Sequence, residues 1–188
     1  VEAVFVRHGH GEHLLDYPNQ LNMLHPGLTL YGESQVNELR GRLLLNGNEQ
    51  VVVSPTKRTI ETARILLSDG PFVISPLAGP RMFPQDPSYS PFVCDQIYSK
   101  DEIRETVPDA VIVDFGLDLW EEGINRIGQE AFETYGRQLL DWCKAQAERV
   151  IIVSHDGTIT NYRVLLGEQG LTRKDFLGEA GVYQAKYE

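Results

Sequence analysis

The chain has 188 residues, 41% of them hydrophobic and 23% charged, the proportions of an ordinary globular protein rather than of a disordered or collagen-like one. No apolar run approaches the roughly 18 residues of a membrane span. Seventeen basic against 27 acidic residues give a formal net charge of -10, which disfavours nucleic acid and anionic membranes as partners but leaves room for a small anion held by a few local arginines.

The first element is an apolar strand, Glu2 to Val6, which runs directly into Arg7 and His8. A helix is expected over Glu33 to Leu45, with Val36, Leu39 and Leu43 at helical spacing and Asn46-Gly47 as its stop. Asn48 to Val53 follows as a strand ended by Ser54-Pro55, then a helix over Lys57 to Leu67 with Ile60, Ala63 and Leu67 on one face. Pro71 to Ile74 is a third strand. Seven of the ten prolines fall between Pro71 and Pro108, and prolines this dense prevent long regular elements. Residues 75–127 are therefore read as an insert over the sheet edge, rich in aromatics such as Phe83, Tyr89, Phe92 and Tyr98.

Beyond the insert, Gln129 to Ala147 has the spacing of a helix with Phe132, Tyr135, Leu139 and Trp142 inward. Arg149 to Val153 is the clearest strand, β-branched and closed by Ser154-His155. A helix over Thr158 to Leu166 and an edge strand over Gly181 to Tyr187 complete the chain. Strands alternating with helices imply an α/β fold, a mainly parallel sheet with helices on both faces. The length fits a single domain, 1–188, carrying the insert. Cys94 and Cys143 are too few for a disulfide framework and read as reduced, buried thiols. With an apolar strand at the very start of the chain, no signal peptide is evident and a cytoplasmic location is expected.

Open α/β sheets place their sites at the carboxyl ends of parallel strands. Three such ends carry chemistry here: Arg7-His8-Gly9, Ser54-Pro55 leading to Arg58, and Ser154-His155-Asp156-Gly157. Brought to one sheet edge, they supply two guanidiniums, two imidazoles and a carboxylate. Two guanidiniums form a forked anion site matched to phosphate oxygens. A neutral imidazole can accept a phosphoryl group, fixed cations stabilise the charge that spreads over the equatorial oxygens, and a protonated carboxyl can supply the leaving alkoxide. That set needs no metal and no cofactor.

Four segments carry a family resemblance. Val6-Arg7-His8-Gly9-His10 resembles the Arg-His-Gly motif of the histidine phosphatase superfamily, the phosphoglycerate mutase-like family. Leu28 to Gln35, Ser54 to Ala63 and Val153 to Gly157 resemble its later segments, in its order, between residue 4 and about residue 165. The resemblance implies a three-layer α/β/α sandwich, His8 as the residue that becomes phosphohistidine, and a phosphate pocket of Arg7, His8, Arg58 and His155. Within that family the short chain and an insert poor in basic residues favour a phosphatase that acts on small phosphate monoesters and releases inorganic phosphate over a phosphomutase, and the edge strand near Val182 allows a monomer or a homodimer.

Two departures from the family pattern matter. Where many members have Arg-Glu as a proton donor, Arg81 is followed by Met82, which cannot transfer a proton. Asp156, directly after His155, is the expected donor, with Asp95 as its main competitor, Asp86 and Glu12 behind them, and a helix cap as the alternative role of Asp156. The second departure is Gly9-His10-Gly11-Glu12-His13. His10 and Glu12 are candidates to face the substrate, together with Asp95, whereas His13 and His25 read as loop or surface residues.

Three rival readings stay open. His8-x-His10-x-x-His13 also resembles the start of a metallohydrolase cluster, but Arg7 beside it would repel a dication. A phosphomutase and a catalytically weak phosphate-binding scaffold are the others. Tyr89, Phe92, Tyr98 and Trp120 suit either a partly apolar substrate or the core.

Overall fold

A computed structural model describes residues 1–188. Six strands form one sheet: β1 (Glu2–Arg7), β2 (Gln50–Val53), β3 (Val73–Ile74), β4 (Val111–Ile112), β5 (Arg149–Ser154) and β6 (Val182–Lys186). Their order is β4-β3-β2-β5-β1-β6. Every pairing is parallel except that of β1 with the edge strand β6. Five helices cover it: α1 (Leu30–Arg42), α2 (Lys57–Leu67), α3 (Lys100–Thr106), α4 (Gln129–Gln146) and α5 (Asp156–Leu165).

The three-layer expectation holds, and the alternation of side chains along the strands accounts for it. Val4, Val6, Val51, Val53, Ile151 and Val153 point to one face, where they meet Val36 and Leu39 of α1, Ile60 and Ala63 of α2 and Ile103 of α3. Ala3, Phe5, Val52, Val150 and Ile152 point to the other, against Phe132, Leu139 and Cys143 of α4 and Ile159 and Tyr162 of α5. A strand buried on both faces reads as a continuous apolar run, as β1 and β5 do. Cys94 and Cys143 are free and buried. No helix is long and apolar enough to cross a membrane.

Two expected boundaries shift. The first helix begins at Leu30 and ends at Arg42, three residues earlier at each end than its apolar spacing suggests. The Thr29 hydroxyl accepts from the Gly32 amide and starts the helix, while Leu30 and Tyr31 in its first turn are exposed and gave no periodicity. The last helix starts at Asp156, with His155 rather than Asp156 in the capping position.

The proline-rich stretch departs further from expectation. Besides covering the sheet, it adds a strand to it, β4, parallel to β3. It also contains α3, opened by a capping box in which the Ser99 hydroxyl accepts from the Glu102 amide and the Glu102 carboxylate from the Ser99 amide. That Ser-x-x-Glu signature was present in the sequence and outweighs the proline density around it. At the start of the stretch, Ser154, Thr158 and Tyr162 donate hydroxyls to the carbonyls of Ala78, Gly79 and Leu77. At its end, Arg81 donates to the carbonyls of Ile124 and Ile127. The two ends are thus fastened to β5, α5 and each other.

Candidate functional site

Parallel pairing on both sides of β5 sets the strand ends at one level. Arg7 of β1 is in register with Ser154, and Val53 of β2 with Val153. The residues that follow, His8, Ser54 and His155, therefore emerge side by side. Arg58 joins them from the first turn of α2, whose apolar face anchors it on the sheet through Ile60 and Ala63.

Arg58 is the hub. It is only 1% exposed, and its Nε lies 3.2 Å from His8 Nε2. Nη1 donates to the Cys94 carbonyl at 2.9 Å. Nη2 reaches Asp95 Oδ1 at 3.3 Å and His155 Nδ1 at 3.4 Å. The His8 and His155 rings stand edge to face, 5.2 Å between centroids.

Hydrogen bonding sets both tautomers. His8 Nδ1 lies 2.7 Å from the Gly9 carbonyl. A carbonyl only accepts, so Nδ1 carries the proton and Nε2 keeps its lone pair toward Arg58. A guanidinium only donates, so His155 Nδ1 accepts, and its Nε2 donates to Ser54 Oγ at 2.8 Å. Burial, with Arg7 and Arg58 close by, holds both imidazoles well below their usual range. Both are neutral near pH 7.

Asp156 does not stand free beside His155. Its Oδ2 accepts from Arg7 Nε at 3.1 Å, and its Oδ1 accepts from the amides of Leu177 and Gly178 at 2.9 and 3.3 Å. Arg7 is further held by a bond from Nη1 to the His8 carbonyl at 3.0 Å. Both oxygens of Asp156 are engaged in orienting Arg7 and the loop before β6. Asp95, on the turn Val93–Asp95 of the insert, is different. It makes one side-chain contact, to Arg58, and 28% of its side chain remains accessible. Burial raises its carboxyl above the usual range, partly offset by Arg58. It lines a cavity of about 390 Å³ together with His155.

His10 and Glu12 lie outside this cluster. His10 Nδ1 bonds Thr29 Oγ1 at 2.9 Å, and its amide donates to Gln35. Glu12 accepts from the Gly27 amide at 2.8 Å. Neither makes a hydrogen bond to His8, Arg58 or His155. Asp86 is bonded to Ser88.

His13 corrects the sequence reading. It is 7% exposed, with its ring 6.2 Å from that of His8. Its Nδ1 is buried without a partner. Burial, with Arg58 and Arg7 facing it, pushes its imidazole down to about 3. Gly11 makes room for this: a Cβ there would lie 2.5 Å from the imidazole. The pair Gly11-x-His13 was legible, but only the fold turns the ring inward. His25 is likewise not free: it packs on Tyr98 at 4.3 Å and contacts Glu102 at 3.3 Å. Tyr98 and Trp120 belong to the core, whereas Phe83, Tyr89 and Phe92 line the cavity.

Comparison with known proteins agrees with this picture at the level of the fold. Residues 3–76, which include Arg7, His8 and Arg58, match the model of the histidine phosphatase superfamily (branch 1). No curated protein matches the chain by sequence. Three solved structures are similar to it along their lengths. One is the ecdysone phosphate phosphatase from Bombix mori in complex with tungstate, with a TM-score of 0.65 and 14% identity, covering 99% of this chain and 89% of that one. Another is the alpha-ribazole phosphatase from Shigella flexneri, at 0.62 and 20%, covering 100% and 91%. The third is a mutant phosphoserine phosphatase from Entamoeba histolytica in complex with phosphoserine, at 0.61 and 19%, covering 97% and 89%.

Proposed function

We propose that this chain, which shares residues 3–76 with the histidine phosphatase superfamily, hydrolyses phosphate monoesters through a phosphohistidine on His8. The observation that carries this reading is the buried guanidinium of Arg58, 3.2 Å from His8 Nε2 and 3.4 Å from His155 Nδ1. A phosphoryl group bound at that fork takes over the Arg58 Nε–H and so frees the His8 lone pair to face phosphorus. The similar phosphatase structures, one with tungstate and one with phosphoserine bound, support it.

In the first step His8 Nε2 attacks phosphorus, the N–P bond forms and the P–O bond to the alcohol breaks. Arg7, Arg58 and His155 face the equatorial oxygens, where charge spreads. The dianion favours protonated His155, which then donates through Nδ1. His13 faces the same two arginines and is a further donor to the bound anion.

Asp95 is the proton donor in this scheme. Its raised carboxyl, its single contact to Arg58 and its access to the cavity suit a group that must carry a proton to the leaving oxygen. Asp156, with both oxygens accepting, positions Arg7 instead. In the second step water attacks phosphorus, Asp95 takes its proton, the N–P bond breaks, and inorganic phosphate leaves with His8 restored.

Trapping the intermediate tests the reading. Wild type quenched in alkali during turnover of an aryl phosphate should carry one phosphoryl group on His8, and His8→Ala should lose both the adduct and turnover. Turnover that survives His8→Ala would overturn the proposal. Transfer of the phosphoryl group to a second alcohol as fast as phosphate release would convert it to a mutase.

A further inference from the structure

Resting on the phosphatase reading of the adjoining centre, we propose that the 390 Å³ cavity is a subsite for the alcohol part of the substrate, and that it selects ring-bearing apolar alcohols over small polar ones. Three observations converge. The first is direction. A leaving oxygen in line with His8 Nε2 has to lie on the side of its proton donor. Asp95 and His155 both line this cavity, so a substrate whose leaving oxygen faces Asp95 extends its alcohol part into it.

The second is surface. Met82, Phe83, Tyr89, Phe92 and Phe176 line the cavity. Tyr89 is 61% and Phe92 49% exposed, so these rings are left uncovered at a concave mouth, which is where an apolar ligand recovers hydrophobic free energy. The volume falls in the range of about 300–1,000 Å³ that encloses multi-ring ligands.

The third is charge. Asp86 and Asp95 are balanced by Arg81 and Arg173, so the charged side chains of the lining cancel formally and leave apolar contact to decide selection. Arg81 Nη1 holds two backbone carbonyls, and Arg173 lies over Phe176 at 5.5 Å.

The test uses primary alkyl monophosphates of matched leaving-group basicity: ethyl, glycerol 3-, 2-phenylethyl and 2-(2-naphthyl)ethyl phosphate. The kcat/KM should rise by about tenfold or more from ethyl to naphthylethyl phosphate, as expected for filling an apolar pocket. Phe92→Ala and Tyr89→Ala should collapse that ratio. A flat series, or glycerol 3-phosphate as the best of the four, overturns the subsite. If no ester is turned over, the phosphatase reading fails on its own, and calorimetry with the matching phosphonates decides the subsite. Naphthylethylphosphonate binding about tenfold tighter than ethylphosphonate supports it, and equal binding overturns it.

Discussion

Asp95 and Asp156 show how two carboxylates in one site are separated by their surroundings. Asp95 is half-buried with one counterion and is raised; Asp156 is bonded at both oxygens. Asp95→Asn is expected to slow alkyl phosphates by about 100-fold or more, the usual weight of a general acid, and aryl phosphates far less, since a phenolate leaves without a proton. Asp156→Asn should slow both classes equally by loosening Arg7. The three buried histidines make a second prediction, on stability. Their folded values are depressed below the usual 6.5, that of His13 to about 3. Between about 3 and 6.5 the unfolded chain binds more protons than the folded one, so stability falls as pH drops through that window and is complete above it. Thermal melts from pH 7.5 to 4 should show a falling Tm, less steep in His13→Gln.

At the scale of elements, the site depends on close backbone approach between α5 and the segment entering the cavity. Gly157 in the first turn of α5 lies against the Arg81 carbonyl, so that a Cβ there would collide with backbone that Arg81 itself fastens to residues 124 and 127. Gly157→Ala should therefore cost about 1–3 kcal/mol in urea unfolding. It should also lower phosphate affinity, because α5 carries His155 at its start. An unchanged affinity would show that α5 and the Arg81 segment move independently. The insert is coupled to the candidate site by a different contact, the bond from Arg58 to the Cys94 carbonyl. It seats the turn that bears Asp95, which places the proposed donor on a non-regular segment rather than on a strand end.

For the whole molecule, a net charge of -10 surrounds the proposed anion site. Arg7 and Arg58, drawn inward, act at contact distance, where a distant surface field is screened beyond about 8–10 Å. Tungstate or inorganic phosphate should raise the Tm, with a stabilisation of about 2.7 kcal/mol at 100 times the Kd. Arg58→Ala should abolish the shift. A shift that persists in Arg58→Ala would place the anion elsewhere.

Local chemistry was enough to identify the strands β1, β2 and β5 and the helices α2 and α4, and to single out Arg7, His8, Arg58 and His155 as candidates that the fold brings together. Each lies in a continuous apolar run, a clear helical period or a strand terminus, and these are properties of neighbours along the chain. The roles of Asp95, Asp156 and His13 were not legible in that way. Whether a carboxylate carries a proton or an imidazole faces inward depends on burial and on partners 20 to 150 residues away, such as Leu177 for Asp156 and Arg58 for His13. The same holds for β4, whose two residues become a strand only because β3 offers an open edge. Sequence patterning thus determined the layers and the candidate residues at the strand ends, while tertiary packing decided which carboxylate keeps an open side, because desolvation and hydrogen bonding act across the fold.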